Sequence, residues 1–311
     1  MAAKIFIDGS AGTTGLRIHE RLGTRTDIEI ITLPEAQRKE ASARAKALNS
    51  CDIAFLCLPD AAAMEAVSMI ENPAVKVLDT STAHRTAEGW AYGFPELGPD
   101  FYEGVKNADR VAVPGCHASG FIALVHPLIQ QGIISPATAL TCHSVTGYSG
   151  GGKKMIAQYE DTGAEPALLS PRQYGLTQQH KHLKEMKAIS GTSVAPIFCP
   201  IVSNFYSGMV VTVPLFAKDL MPGKTPADVK AAYAARYNSG PVKYEEEIGE
   251  EGFLCANALS GKDNMQIFVQ GNEERMLLMA RYDNLGKGAS GAAVECLNIL
   301  LGADPMTGLE I

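Results

Sequence analysis

Short apolar runs alternate with amphipathic stretches through the first third of the chain. Lys4–Ile7, Ile28–Leu33, Ile53–Leu58, Val75–Leu78 and Val111–Val113 have the apolar density of strands buried on both faces. Thr14–Leu22, Glu35–Leu48 and Ala61–Ile70 fall between them with helical character. This alternation predicts an α/β fold with a Rossmann-type, doubly wound parallel sheet. Beyond residue 118 the pattern changes. Thr138–Val145, Val194–Val202, Met209–Phe216, Gln266–Gln270 and Met276–Tyr282 read as longer strands, the last two joined by a hairpin signal at Gly271-Asn-Glu-Glu. Thr225-Pro-Ala-Asp228 opens a helix, with Thr at the N-cap and Pro at the first helical position. The expectation is an α+β catalytic and dimerisation domain with a mixed, largely antiparallel sheet over 118–284. The dinucleotide-binding domain covers 1–117, completed by a C-terminal helix within 285–311 that begins at Gly288 and stops at Gly302.

The run Val111-Ala-Val-Pro-Gly-Cys116-His-Ala-Ser-Gly120 joins a strand to a helix whose apolar positions are Phe121, Leu124, Val125 and Leu128. Cys116 therefore sits at a helix N-terminus, where unpaired N–H groups and the macrodipole favour a thiolate, the reactive form of cysteine. A small buried hydrophobe is the ordinary fate of a free cysteine, so neighbouring motifs decide between the two.

Gly9-Ser10-Ala-Gly12-Thr13-Thr14-Gly15 follows the first strand and opens the first helix. Glycines there permit a tight turn and close approach of a pyrophosphate to backbone N–H groups, although the spacing departs from G-x-G-x-x-G. The second strand ends without an acid for a ribose hydroxyl, and Arg38 and Lys39 follow, which favours the 2′-phosphate of NADP(H) over NAD. Asp79-Thr-Ser81-Thr-Ala-His-Arg85 lies at the carboxyl edge of another strand, where Arg85 offers a fork for phosphate or carboxylate. The second glycine-rich loop, Gly147-Tyr-Ser149-Gly150-Gly-Gly152, is a second candidate anion site. His180-Lys-His182-Leu-Lys-Glu185 is the dense histidine cluster, with His180 at a helix mouth and His182 and Glu185 on one helical face. Either histidine is a candidate acid–base partner for the cysteine, His180 being preferred.

Composition narrows the class. The chain has 311 residues, 46% hydrophobic and 20% charged, a formal net charge of −7 and no dense basic block. Mean hydropathy is near zero. Nucleic acid and acidic membrane are therefore not expected partners. The opening Met1-Ala-Ala-Lys-Ile-Phe-Ile-Asp8 already reads as a strand, and no targeting segment or membrane span is expected. Seven cysteines without paired spacing point to a reducing, cytoplasmic setting and no structural metal; Cys57, Cys142, Cys199, Cys255 and Cys296 are expected in the core.

Taken in order, Gly9-x-x-Gly12-x-x-Gly15, Asp79-x-Ser81-x-x-x-Arg85, Val-Pro-Gly-Cys116, the 147–152 loop, His180-x-His182-x-x-Glu185 and Asp283-Asn284-Leu-Gly-Lys-Gly288 resemble the N-acetyl-γ-glutamyl-phosphate reductases in their shorter branch. These are similar in plan to aspartate-semialdehyde dehydrogenase. His-Ala-Ser after Cys116 and the first glycine loop depart from the related pattern. The resemblance implies an NADP-dependent enzyme of arginine biosynthesis that converts N-acetylglutamyl 5-phosphate to the 5-semialdehyde and inorganic phosphate through a Cys116 thioester. It implies Ser81, Arg85, Ser149, His182 and Glu185 as substrate contacts. It implies Gly9, Ser10, Gly12, Thr13, Thr14, Gly15, Arg38, Ser149, Gly150 and Asn284 around the cofactor, and a homodimer or homotetramer. The alternatives are a sister acyl-phosphate reductase, such as one acting on aspartyl phosphate, and a non-catalytic nucleotide sensor, which would have no need of Cys116 and His180.

Overall fold

The computed structural model describes residues 2–10, 12–161, 163 and 165–311, without the side chains of Thr13 and Leu16. The chain divides into two compact units, one of residues 1–95, 99–114 and 289–309, the other of 96–98, 115–288 and 310–311. Cys116 falls in the second unit, two residues into it.

The first unit runs β1 (Ala3–Asp8), α1 (Thr13–Leu22), β2 (Ile28–Ile31), α2 (Ala41–Ser50), β3 (Ile53–Leu56), α3 (Asp60–Ser68), β4 (Lys76–Asp79), β5 (Ala91–Tyr92), α4 (Pro99–Lys106) and β6 (Arg110–Ala112). Its strands form one parallel sheet in the order β2-β1-β3-β4-β6-β5. Alternate side chains of β1 enter different cores. Ile5 and Ile7 pack with Ile18 and Leu22 of α1, whereas Phe6 joins Leu48 of α2 and Ala63 of α3. Burial on both faces explains why these strands read as continuous apolar runs. The order reverses at β1, so the carboxyl ends of β1 and β3 flank the crevice where open sheets bind ligands.

The expected helix over 35–48 is broken. A single 3-10 turn covers Glu35–Gln37, and α2 starts only at Ala41. The turn buries no residue, so nothing apolar holds 35–40 in a longer helix. Arg38 and Lys39 consequently lie on a bend rather than a helix face.

The second unit contains α5 (Cys116–Gln130), β7 (Thr141–Gly147), α6 (Gly152–Glu160), β8 (Arg172–Gln173), α7 (His182–Ser190), β9 (Ile197–Ser203), β10 (Met209–Phe216), α8 (Pro226–Arg236), β11 (Val242–Tyr244), β12 (Met265–Gly271) and β13 (Arg275–Tyr282). The seven strands form a mixed sheet, β11-β12-β13-β10-β7-β9-β8. β12 and β13 make the expected antiparallel hairpin, with Gly271 opposite Met276. Strand β9 begins three residues later than the apolar run, after Pro196, which has no N–H to give a ladder. At α8, Asp228 accepts hydrogen bonds from Thr225 N (2.8 Å) and Oγ1 (2.7 Å), completing the expected cap.

Helix α5 is more central than its one apolar stripe suggests: residues 117 to 125 are all buried. A Cβ on Gly120 would lie 2.6 Å from Val211 and 2.7 Å from the Tyr282 hydroxyl, so glycine lets the helix press onto β10 and β13. The C-terminal segment also differs in form. A π-helical turn over Gly286–Ser290 precedes α9 (Gly291–Leu300), which returns to the first unit and packs Ala293, Val294 and Leu297 into its core. Among the described residues, no helix is long and apolar enough to cross a membrane.

Candidate active site

Cys116 is the first residue of α5. Its cap is Gly115 in extended conformation (φ −78°, ψ 143°), and no side chain caps the helix. The start of α5 carries the partial positive charge that favours a thiolate, or an oxyanion formed beside it. Three contacts hold the turn. Glu185 Oε1 accepts the Gly115 N–H at 2.8 Å. The Tyr282 hydroxyl donates to the Cys116 carbonyl and accepts the Gly120 N–H at 2.9 Å. Gly288 passes so close that a Cβ there would lie 3.1 Å from that of Cys116, which brings the end of the 283–288 segment against that residue.

The histidines come together at the mouth of α7. His180 is half-buried, and its Nδ1 accepts the backbone N–H of His182 at 3.2 Å. A neutral His180 is therefore protonated on Nε2. Burial, then the Lys181 charge, lowers its pKa below the ordinary 6.5. His182, the first residue of α7, is only 6% exposed. Glu185, expected to touch substrate, is buried, and its Oε1 holds the Gly115 N–H just ahead of Cys116.

His117 was not anticipated. Its ring is buried, with centroids 6.0 Å from His180 and 5.7 Å from His182. Burial, with a smaller contribution from His180, pushes its pKa down to about 3. The unfolded chain binds this proton near pH 6.5 and the native protein does not, so stability is lost as pH falls below about 6.5. His126 and His180, also lowered, act in the same direction. Equilibrium unfolding between pH 6 and 4 should show up to about 1.4 kcal/mol lost per pH unit from His117. His117→Gln should flatten that slope, and an unchanged slope would contradict the assignment.

The remaining expected residues are held by other protein groups. Ser81 donates to Asp79 Oδ2 at 2.6 Å, and His84 Nδ1 meets the same oxygen at 2.6 Å. Arg85 gives Nε to Val113 O and Nη2 to Thr80 O, both at 2.9 Å, tying the ends of β4 and β6 together ahead of the nucleophile turn. These two contacts make Arg85 a backbone tie. Ser149 is buried and accepts from Asn284 Nδ2 at 3.0 Å, while Asn284 Oδ1 accepts Gly208 N–H at 2.9 Å. Asn284 thereby fixes the 147–152 loop beside Gly150, which needs glycine at Gly152 for its φ of +69°.

The first unit holds a cavity of about 430 Å³ at the ends of β1 and β2, lined by Gly9, Ser10, Glu35, Arg38, Lys39 and Arg44 among others. Gly9 has φ +88°, and a Cβ there would lie 2.3 Å from Cys57 O; one on Gly15 would lie 2.4 Å from Gly9 O. Gly12 N–H closes the turn on Gly9 O at 2.9 Å. The glycines thus let strand, loop and helix approach as a dinucleotide loop must, and Thr14 follows in the first turn of α1. The side chain of Thr13 lies outside the described residues. Missed from the sequence were Glu35, a carboxylate in this cavity, and the buried Arg44–Asp8 pair at 2.9 Å. The apolar β-strand floor, the glycine turn and the cationic rim suit an adenosine with a phosphate.

All seven cysteines are free, and Cys142 and Cys296 are buried as expected. Cys57 and Cys199 are half-buried, and Cys255 is exposed, because its 250–260 segment belongs to a surface loop rather than a strand. Among the described residues no group of His, Cys, Asp or Glu is placed to hold a metal ion.

Comparison with known proteins places the chain. The family described as semialdehyde dehydrogenase, dimerisation domain, matches residues 116–284, and the one described as semialdehyde dehydrogenase, NAD binding domain, matches 34–104. The chain is 46% identical to the N-acetyl-gamma-glutamyl-phosphate reductase 2 of Nostoc sp., covering 98% of this chain and 99% of that one. It is 45% identical to the N-acetyl-gamma-glutamyl-phosphate reductase of Sinorhizobium medicae, covering 97% and 100%. In fold it is similar to aspartate semialdehyde dehydrogenase II of Vibrio cholerae (TM-score 0.75, 15% identity, 97% and 99% covered). The Candida albicans aspartate semialdehyde dehydrogenase solved with NADP is also similar (TM-score 0.65, 15% identity, 97% and 99% covered). Related to these reductases at 45–46% identity over nearly its whole length, the chain belongs to the N-acetyl-gamma-glutamyl-phosphate reductase family.

Proposed function

We propose that this chain reduces N-acetylglutamyl 5-phosphate to N-acetylglutamate 5-semialdehyde, releasing inorganic phosphate, as a step of arginine biosynthesis. The observation that carries this is Cys116 at the uncapped start of α5, braced by Glu185 and Tyr282. The Cys116 thiolate attacks the acyl carbon, the carbon–oxygen bond to phosphate breaks, and a thioester forms on Sγ. A bound reduced nicotinamide dinucleotide supplies the hydride that takes this acyl group to the aldehyde level. The α5 N–H groups hold the oxygen as it gains charge, an interaction of about 3 kcal/mol. His180 exchanges a proton with that oxygen at Nε2, and the carbon–sulfur bond then breaks to free the aldehyde and restore the thiolate. His182 and Ser149 are proposed around the acyl group, where Glu185 holds the backbone of Gly115.

The test is phosphate-dependent oxidation of N-acetylglutamate 5-semialdehyde by the purified protein. A higher kcat/KM with aspartate semialdehyde would defeat this reading in favour of a sister acyl-phosphate reductase.

NADP(H) is the proposed cofactor, with Gly9, Ser10, Gly12, Thr13, Thr14 and Gly15 around the pyrophosphate and Arg38 at the 2′-phosphate. Ser149, Gly150 and Asn284 are proposed for its nicotinamide end. Glu35 in the same cavity favours the competing assignment, a ribose diol and NAD. Arg38→Ala should raise KM for NADPH about tenfold and leave that for NADH unchanged, from loss of a charge-assisted phosphate contact. Equal effects on both would assign the cavity to NAD.

The proposed assembly is a homodimer or homotetramer through the second unit's sheet. Ile197, Phe216 and Leu277 are 62%, 51% and 44% exposed on strands β9, β10 and β13, an apolar face of the kind that subunits cover. The proposed setting is the cytoplasm, which suits seven free cysteines.

A further inference from the structure

Three buried or half-buried groups beside the nucleophile remain without a role: Ser144, His117 and Tyr174. His117 Nδ1 lies 2.6 Å from Ser144 Oγ, and its Nε2 lies 2.7 Å from Tyr174 Oη. Phe198 packs edge-on against the imidazole at 5.3 Å, and the titratable groups facing it are His180, His182 and Tyr174. With its pKa near 3 the ring is neutral and carries a single N–H.

Ser144 decides which nitrogen bears that hydrogen. Its hydroxyl is wholly buried, and His117 Nδ1 is its one hydrogen-bond partner among the described residues. A hydroxyl has one proton and two lone pairs, and a buried donor left without an acceptor costs about 1–3 kcal/mol. Ser144 therefore donates to Nδ1, and the imidazole is protonated on Nε2. That N–H donates to Tyr174 Oη, so the phenol's own proton must point away from His117. His117 is the phenol's one hydrogen-bond partner among the described residues, which leaves this proton for a group in the site. Burial, and after it the negative charge of Cys116, pushes the Tyr174 pKa well above 10, so the proton is retained.

We propose that Ser144, His117 and Tyr174 form a hydrogen-bond relay that presents the Tyr174 hydroxyl proton to the Cys116 thiolate and to the oxygen of the acyl group it carries. Tyr174 is then a catalytic hydrogen-bond donor, while His117 and Ser144 are positioning residues that set the direction of its proton. The relay rests on Cys116 being the nucleophile, but not on the identity of the acyl phosphate. It also gives a reason for histidine to follow this cysteine: an aromatic or amide residue there would not pass the same polarity from Ser144 to Tyr174.

The relay is testable without substrate. Tyr174→Phe should slow alkylation of Cys116 by iodoacetamide at pH 7 about tenfold, the effect of one hydrogen bond to a charged group. Ser144→Ala removes the donor that fixes the tautomer, lets Tyr174 turn its proton onto His117, and should give a smaller slowing in the same direction. The double variant should be no slower than Tyr174→Phe alone, because both changes remove one interaction. In the unmodified protein, nitrogen NMR of labelled histidine should find His117 neutral and protonated on Nε2. An unchanged alkylation rate in Tyr174→Phe, additive losses in the double variant, or a proton on Nδ1 would each overturn the relay. None of these readings depends on the acyl phosphate, so failure of the substrate assay would leave this test intact.

Discussion

Cys116→Ser abolishes turnover, lowering kcat by a factor on the order of 10⁴ or more, while NADP binding stays as it was. A serine at the start of α5 keeps these ties to the turn, since Glu185 and Tyr282 hold the backbone of Gly115, Cys116 and Gly120. What is lost is the nucleophile. A hydroxyl ionises far less readily than a thiol, and no base has been positioned for it as in a serine hydrolase. An ester would also hold its acyl group less ready for hydride transfer than a thioester. The nucleotide cavity belongs to the other unit and contains none of these groups, so fluorescence titration with NADPH should give an unchanged Kd. Turnover within tenfold of the unmodified protein would exclude a covalent intermediate on this residue.

His180→Asn should lower kcat by 10²–10⁴, the span of a positioned acid–base group, with KM changed much less. Asparagine can still accept the His182 N–H that His180 Nδ1 now accepts at 3.2 Å, so the start of α7 is preserved. Only the proton exchanged at Nε2 is removed. His180 titrates below its ordinary value of 6.5, because burial and Lys181 disfavour its cation. It is therefore neutral at pH 7, and the acid limb of kcat/KM for aldehyde oxidation should fall below pH 6.5 and vanish in the variant. His182→Asn should cost less, His182 being only 6% exposed whereas His180 is half-buried. The reverse ranking of the two variants would move the acid–base role to His182.

The parallel sheet was plain in the chain because its strands are buried on both faces and carry an unbroken apolar signal. Cys116 was equally plain, since a Pro-Gly turn between an apolar strand and an apolar helix leaves its position little choice. Boundaries set by backbone geometry were harder to see. The 35–48 segment has helical composition, but its first six residues bury nothing, and the bend there brings Glu35 into the cavity beside Arg38. Arg85, Ser81 and Glu185 have the chemistry of ligand contacts. Only folding shows that Val113, Asp79 and Gly115 are bonded to them. Tyr174, Ser144 and Tyr282 lay outside the glycine and histidine motifs, and partners 27 to 166 residues distant give them their roles. His117 was the nearest signal passed over: a titratable residue directly after the nucleophile, at a helix start, where its ring must turn inward.

A thioester on Cys116 can be trapped by mixing the protein with N-acetylglutamyl 5-phosphate in the absence of nicotinamide nucleotide, quenching in acid and measuring the intact mass. The expected result is one N-acetylglutamyl group per chain, mapped to Cys116 by peptide fragmentation, released by hydroxylamine and formed with an equal amount of phosphate. Phosphate release without an acyl group on Cys116, or an acyl group carried by another residue, would contradict it.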